Sequence, residues 1–572
     1  MRLLSRLPFL ALLLSLTVQA APTPEQQAVA SAHPIATAAG HQILDQGGNA
    51  FDAAIAVAAT LAVVEPYGSG IGGGGFFLLR QADQAGADYR FIDARETAPL
   101  AAHRNMYLDD DDQLQRVING PLAAGIPGTP AALVHLAEKY GTLPLQQSLA
   151  PAIAAAEQGF TVGDSYRTLV GFRLAAMQQD AETAGIFLRD NQAPAPGELI
   201  RQPDLAETLR QLARHGLDGF YRGPVAERLV LGVQAAGGIW EHADLQQYRV
   251  IERQPVRFHS HGFEVISSPL PSAGGIALAG ILQGMEQLPA AAPGSVQWTH
   301  QLVELMRRSY RDRALLLGDS DFIEVPTERL LSAEHARQLA AGIDPERATP
   351  SLELGAPVTF NEGTNTTHFS LIDRQGNAVA ATLSVNLPFG AAFTVPGTGV
   401  LLNNEMDDFA ADPDGRNSYG LKGSEANAIA PGKRPLSSMT PTMLENAEQL
   451  AVLGTPGGSR IISMVLLGSL QAIQGLPVQE WVSRPRFHHQ YLPDHIQIED
   501  AAFSNEQRTA LEQLGHEFKA VGRDYGDMQV LHWDKRNAEV SAASDPRGEG
   551  QASVQQASQP RSAATEASVK PD

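Results

Sequence analysis

Helical and strand-forming segments follow one another along this 572-residue chain without a regular strand–helix–strand rhythm, and this constrains the fold more than any other feature. Residues 24–64 are Ala-rich and read as helical, including 53–64, with Gly47-Gly48 as the break. Residues 76–80 and 89–93 read as strands. Helical periodicity then dominates at 131–139, 149–158, 205–214 and 225–236. A strand at 263–268 follows, then helices at 273–287, 299–317 and 328–341. After residue 366 the chain turns strand-rich, with one clear helix near 459–473. A doubly wound sheet needs repeated βα units, so the pattern predicts a layered α/β (α+β) sandwich. We find no internal repeat. The length calls for one large or two intimately packed domains, and 43% hydrophobic residues supply a sizeable core.

The two ends differ from the rest. Arg2 and Arg6 precede a mostly apolar run over 7–18, and Val18-Gln19-Ala20 gives a small-x-small pattern, so residues 1–20 read as a signal peptide. About a dozen apolar residues fall short of the ~20 that span a bilayer. The expectation is a soluble exported protein, periplasmic or secreted, mature from about Ala21. Residues 549–572 are Gln, Ser, Ala and Pro with almost no large apolar side chain, which predicts a disordered tail. Residues 342–365 lack periodicity and carry Pro345, Pro350, Pro357 and Gly363, which predicts an exposed loop.

Composition excludes several functions. A net charge of −21 argues against nucleic-acid binding, which needs a basic surface. With no cysteine there is no disulfide, thiolate metal site or cysteine nucleophile. Gly68-Ser69-Gly70-Ile71-Gly72-Gly73-Gly74-Gly75 contains a literal G-x-G-x-x-G. A dinucleotide site needs a helix after it, whereas residues 76–80 read as a strand, so close backbone packing is the better explanation. No G-x-x-x-x-G-K-[ST] and no G-x-S-x-G is present. His488-His489 resembles a metal pair, but adjacent strand residues point to opposite faces and no H-E-x-x-H accompanies them, which favours a structural role.

The segment that carries chemistry is Asn365-Thr366-Thr367-His368-Phe369-Ser370, which reads as the start of a hairpin. Asp373 to Asn377 supplies the turn and residues 378–385 the return strand. Three further segments follow: Leu402-Asn403-Asn404-Glu405-Met406-Asp407-Asp408-Phe409, Lys433-Arg434-Pro435-Leu436-Ser437-Ser438-Met439 and Gly454-Thr455-Pro456-Gly457-Gly458-Ser459-Arg460. Together they closely resemble the γ-glutamyltranspeptidase family (γ-glutamyltransferase, glutathione hydrolase), over about residues 25–548. The resemblance implies an N-terminal-nucleophile αββα sandwich that cuts itself at Asn365–Thr366. The products are a large subunit, 21–365, and a small subunit, 366–572, associated as a heterodimer. A Thr hydroxyl is a poor nucleophile without a base beside it. Cleavage would give Thr366 an α-amine of pKa about 7.7–8.0, suited to general-base work near neutral pH.

The resemblance also implies roles. Arg95 matches the arginine that pairs with the substrate's α-carboxylate, and Ser437 and Ser438 match the serines on the same group. Asn386, Glu405 and Asp408 match the residues that hold the α-ammonium. Gly457 and Gly458 match the oxyanion-hole glycines, before a helix whose N-terminus favours negative charge. Ser384 stands where many members have Thr, bonded to the nucleophile, and Glu405 where several bacterial members have Gln. Residues 417–428 resemble a lid loop, with Tyr419 closing over the substrate. The implied reaction moves the γ-glutamyl group of glutathione, or a related compound, to water, an amino acid or a peptide, with no metal and no cofactor. A glutaryl side-chain (cephalosporin) acylase on the same scaffold is the nearest alternative. An inactive periplasmic binding protein is the alternative of a different class.

Overall fold

The computed structural model of the protein describes residues 22–83, 86–108, 113–356, 358, 363, 365–410 and 424–556. The expected signal peptide, the segment 417–423 with Tyr419, and the residues beyond 556 lie outside the described residues. Two antiparallel sheets stack face to face. The first has seven strands, in the order Gln551–Gln556, Gln26–Ser31, Asn365–Ile372, Ala378–Asn386, Gly74–Asp83, Gly86–Ala94 and Ile251–Arg253. The second has six: Glu539–Ser544, Gln529–Asp534, Gln449–Gly454, Thr442–Glu445, Phe263–Ser267 and Val256–Ser260.

The two-residue period of the first sheet separates two cores. Phe77, Leu79, Phe369, Leu371, Val379 and Ala381 pack on one face with the helices Ala50–Val64 and Thr129–Lys139. Phe76, Leu78, Ala378 and Ala380 face the other way and join the second sheet in a common core. The helices Gly274–Met285 and Arg460–Ile473 close that core from beyond the second sheet. The layers therefore run helix, sheet, sheet, helix. Ala50–Val64 is buried along its whole length, which explains why it is apolar all round. A reciprocal cap between Asn49 and Asp52 fixes its start.

Four expectations need correction. Residues 26–31, read as helical, form a strand held on both sides, by Asn365–Ile372 and by Gln551–Gln556; sheet pairing overrides alanine's helix propensity. Residues 551–556, expected to be disordered, form that edge strand. Its main-chain hydrogen bonds to Gln26–Ser31 do not depend on apolar side chains. The helix expected over 328–341 is two, Thr327–Leu330 and Ala333–Ala341, and the Ser332 hydroxyl caps the second by accepting from His335 N–H. The stretch 342–365 is not a free loop throughout. It holds a short helix, Ser351–Leu354, and is tied to the body by Thr349 N–H to Glu304, Ser351 N–H to Asp494, and the Tyr491 hydroxyl to Ala356 O.

Among the described residues no helix is long and apolar enough to cross a membrane.

Candidate active site

Thr366 sits second in the strand Asn365–Ile372, one of the central strands of the seven-stranded sheet, and is 9% exposed. Its register partner across the ladder is Ser384. A bulge between Ser384 and Asn386 shifts the register there, and Asn386 takes a positive φ of 77°. This bend turns the end of the return strand toward the Asn365–Thr366 bond. Ser384 Oγ donates to the Asn365 carbonyl at 3.1 Å and accepts from Asn386 N–H at 2.7 Å. In the uncut chain, then, the Ser384 hydroxyl bonds the carbonyl of the bond in question. The hydrogen bond that Ser384 Oγ donates in the uncut chain goes to this carbonyl.

Gly457 N–H donates to Thr366 Oγ at 3.2 Å. Gly457 and Gly458 have φ of 139° and 58°, conformations that favour glycine, and they stand directly before the helix Arg460–Ile473. The turn is braced from behind: the Tyr310 hydroxyl donates to Ser459 O at 2.5 Å, and Ser459 Oγ donates to Gln490 at 2.7 Å.

On one side of Thr366 lies a polar cavity lined by Arg95, Asn386, Asp408, Ser437, Ser438 and Gly458. Arg95 is 1% exposed. Its guanidinium meets Glu405 at 2.6 Å, Glu96 at 3.5 Å and Asp408, and donates to Pro435 O at 3.3 Å. Burial works against its charge, but the Glu405, Asp408 and Glu96 carboxylates prevail and raise its pKa. Burial pushes Glu405 well above the usual carboxylate range and Glu96 up to about 7, each against the pull of Arg95. Ser437 Oγ accepts from Met439 N–H, and Ser438 Oγ accepts from Arg313 Nε at 3.2 Å.

Glu405 does not line this cavity. In the uncut chain its carboxylate pairs with the Arg95 guanidinium at 2.6 Å. The cavity measures about 20 Å³, room for about one water. Gly363 lines it too, and Gly363 N–H reaches Asp408 Oδ1 at 3.4 Å. The uncut chain itself therefore occupies the polar pocket.

Several residues here escaped the sequence reading. Asn403 donates to Gly72 O and Gly125 O and accepts from Gly125 N–H and Glu405 N–H. It thus ties the glycine run to the Glu405 turn. β-Carbons at Gly72 and Gly73 would overlap the main chain of Leu401 and Ser384, so the run is a close-packing device leading into the strand Gly74–Asp83. Glu65, just past the helix Ala50–Val64, accepts from Thr367 Oγ at 2.7 Å. A lone Glu after an apolar helix carries no signal of its own. His488 bonds Ser463 and Gln490, whereas His489 bonds Asp494. The pair therefore serves two separate polar networks.

A hydroxyl residue near the head of a central strand in a four-layer helix–sheet–sheet–helix sandwich, with a glycine N–H on its oxygen, defines the N-terminal-nucleophile hydrolases. Within that class the chain matches the Gamma-glutamyltranspeptidase family over residues 36–555. It is 44% identical over 501 residues to a glutathione hydrolase proenzyme of Pseudomonas sp. (strain A14), covering 86% of this chain and 87% of that protein. It is 39% identical to a glutathione hydrolase proenzyme of Escherichia coli (strain K12), covering 91% and 90%. The fold superposes on a cephalosporin acylase from Bacillus halodurans with a TM-score of 0.82 and 27% identity, over 97% of this chain and 99% of that one. It superposes on Helicobacter pylori γ-glutamyltranspeptidase with a TM-score of 0.55 and 36% identity, over 57% and 94%. The chain belongs to the γ-glutamyltranspeptidase family.

Proposed function

We propose that this protein is an exported γ-glutamyltransferase and glutathione hydrolase that matures by cutting its own Asn365–Thr366 bond. Thr366 Oγ attacks the Asn365 carbonyl carbon, polarised by the Ser384 hydroxyl. The C–N bond breaks, an ester forms, and water hydrolyses it. Residues 21–365 and 366–572 remain together as a heterodimer, and Thr366 keeps the freed α-amine. Release of Gly363 from Asp408 opens the polar pocket.

In the mature enzyme Thr366 Oγ attacks the γ-carbonyl of glutathione or a related compound, with its own amine as base. Gly457 and Gly458 N–H groups stabilise the oxyanion. The leaving amine takes the proton, and water or an incoming amine resolves the Thr366 ester. Arg95, Ser437 and Ser438 hold the α-carboxylate. Asp408, Asn386 and Glu405 hold the α-ammonium.

One observation carries this reading: Asp408, beside Arg95, takes a backbone N–H in the uncut chain where the substrate's ammonium would sit. Losing a charge-assisted bond costs about 1.5–3 kcal/mol, so Asp408→Asn should lower kcat/KM on γ-glutamyl-p-nitroanilide roughly ten- to a hundredfold. Glutaryl-p-nitroanilide, which has no amine, should be spared. Equal losses on both compounds would remove Asp408 from ammonium recognition and favour the glutaryl-acylase reading, which the whole-chain likeness to the Bacillus halodurans acylase keeps in view.

A further inference from the structure

The α-carboxylate and α-ammonium of a γ-glutamyl group sit on one carbon atom. A pocket that binds both must hold its anion-binding and cation-binding parts at a fixed separation. Here the two parts come from separate segments of the chain. Asp408 ends the short turn Glu405–Asp408, whereas Ser437 and Ser438 follow Pro435, whose carbonyl accepts from Arg95 Nε. Both segments line the pocket beside Arg95. One side chain outside that pocket spans them.

Asn427 ends the short turn Glu425–Asn427 and is 5% exposed. Its Nδ2 donates to Asp408 O at 2.6 Å, and its Oδ1 accepts from Leu436 N–H at 2.9 Å. Its main-chain carbonyl accepts from Ala410 N–H at 2.9 Å, just past Asp408. A main-chain carbonyl on one side and a main-chain N–H on the other fix which end of the amide is which. Asn427 is itself held in place. The buried Lys433 Nζ donates to Ala426 O and Ala428 O, each at 2.9 Å, on either side of it. A β-carbon at Gly318 would overlap Ala426 O, so the turn also packs directly on the main chain there. Ser437 is anchored from the opposite direction: its N–H donates to Pro271 O, and its carbonyl accepts from Ala273 N–H, both at 2.8 Å.

A side-chain amide donates and accepts at once, which is what this position uses. A carboxylate has no proton for Asp408 O, and an aliphatic side chain leaves two buried main-chain groups unpaired, which is costly. We infer that Asn427 is a positioning residue for donor recognition. It ties Asp408 to Leu436 and so fixes the gap between the ammonium side of the pocket and the serines that take the carboxylate. The inference rests on the γ-glutamyl reading above. Asn427 does not line the pocket and acts through Asp408 and through Ser437, the neighbour of Leu436. Because Ser437 keeps its bonds to Pro271 and Ala273, losing the amide loosens the Asp408 turn first. Ammonium recognition then suffers more than carboxylate recognition.

The test compares kcat/KM on γ-glutamyl-p-nitroanilide and on glutaryl-p-nitroanilide, which keeps the carboxylate and lacks the amine. The ratio of the two is taken on one preparation of mature enzyme, so the fraction folded or matured cancels. Two variants remove both hydrogen bonds: Asn427→Ala leaves a void, whereas Asn427→Leu fills it. The ratio should fall about fivefold in each, the size of one neutral hydrogen bond. The loss should appear chiefly in KM for the γ-glutamyl compound. A merely structural role would lower both rates alike and leave the ratio at the parental value. An unchanged ratio in either variant overturns the inference, and a parent that still prefers the γ-glutamyl compound leaves that reading intact. A parent with no such preference overturns the γ-glutamyl reading, and this inference with it.

Discussion

A β-carbon at Gly363 would overlap the Asn386 side chain and main chain, so only glycine lets the chain cross the pocket on its way to the Asn365–Thr366 bond. Gly363→Ala should therefore misplace that bond and slow self-cleavage about tenfold or more, since a shift of about 1 Å can cost on the order of a hundredfold. The fraction of uncut chain against time on a denaturing gel measures this, and cleavage at the parental rate would refute it. Ser384 acts on the same bond from the other side. Removing one hydrogen bond to a developing oxyanion costs on the order of a hundredfold, so Ser384→Ala should leave the protein largely uncut. Ser384→Thr, which keeps the hydroxyl, should mature. At this scale the sequence was legible where side chains carry distinctive chemistry, as with Arg95, Asp408 and the glycine pair. It was not legible for Glu65 or Asn403, whose importance comes from what lies opposite them.

Elements with strong internal signals were predicted well. The helices Thr129–Lys139 and Arg460–Ile473 and the strand Gly74–Asp83 follow from their own periodicity. Elements that exist only through pairing were missed. Gln26–Ser31 and Gln551–Gln556 stabilise each other across the sheet, and neither carries the alternation of a half-buried strand. Ending the chain at Gly550 should expose the Gln26–Ser31 edge and lower the thermal midpoint by several degrees. An unchanged melting curve would show that this edge pairing contributes nothing to stability. The same strand borders Asn365–Ile372, so the truncation tests whether the terminal strand supports the strand that carries Thr366.

Across the whole molecule, buried ionisable groups set opposing pH slopes. Burial lowers His368, His488 and His516 to about 3 and His489 to about 4. Between those values and the unfolded pKa of about 6.5, the unfolded chain binds protons that the folded one does not, so stability falls with falling pH. Burial raises Glu65, Glu96 and Asp407 to about 7. Between about 4.5 and 7 the folded chain holds protons that the unfolded one has lost, so stability from these groups falls as pH rises. The two sets oppose each other from about pH 4.5 to 6.5, and below that range only the histidines act. The thermal midpoint should therefore drop steeply below about pH 4.5 and decline gently toward neutrality. Melting curves from pH 4 to 8 check this, and a midpoint still rising between pH 6.5 and 7.5 would contradict the carboxyl assignments.

By itself the sequence determined the layered class of fold, the position of the Thr366 hairpin and the residue types of the pocket. These follow from local periodicity and from side chains whose chemistry reads one at a time. Only the tertiary structure decided that Glu405 pairs with Arg95, that Ser384 bonds the Asn365 carbonyl and that Gly363 N–H reaches Asp408 in the pocket. It alone linked Asn427 to both Asp408 and Leu436. The physical reason is common to all of these: a buried charge or carbonyl takes its character from the groups packed against it, and those groups arrive from distant segments that no local pattern links.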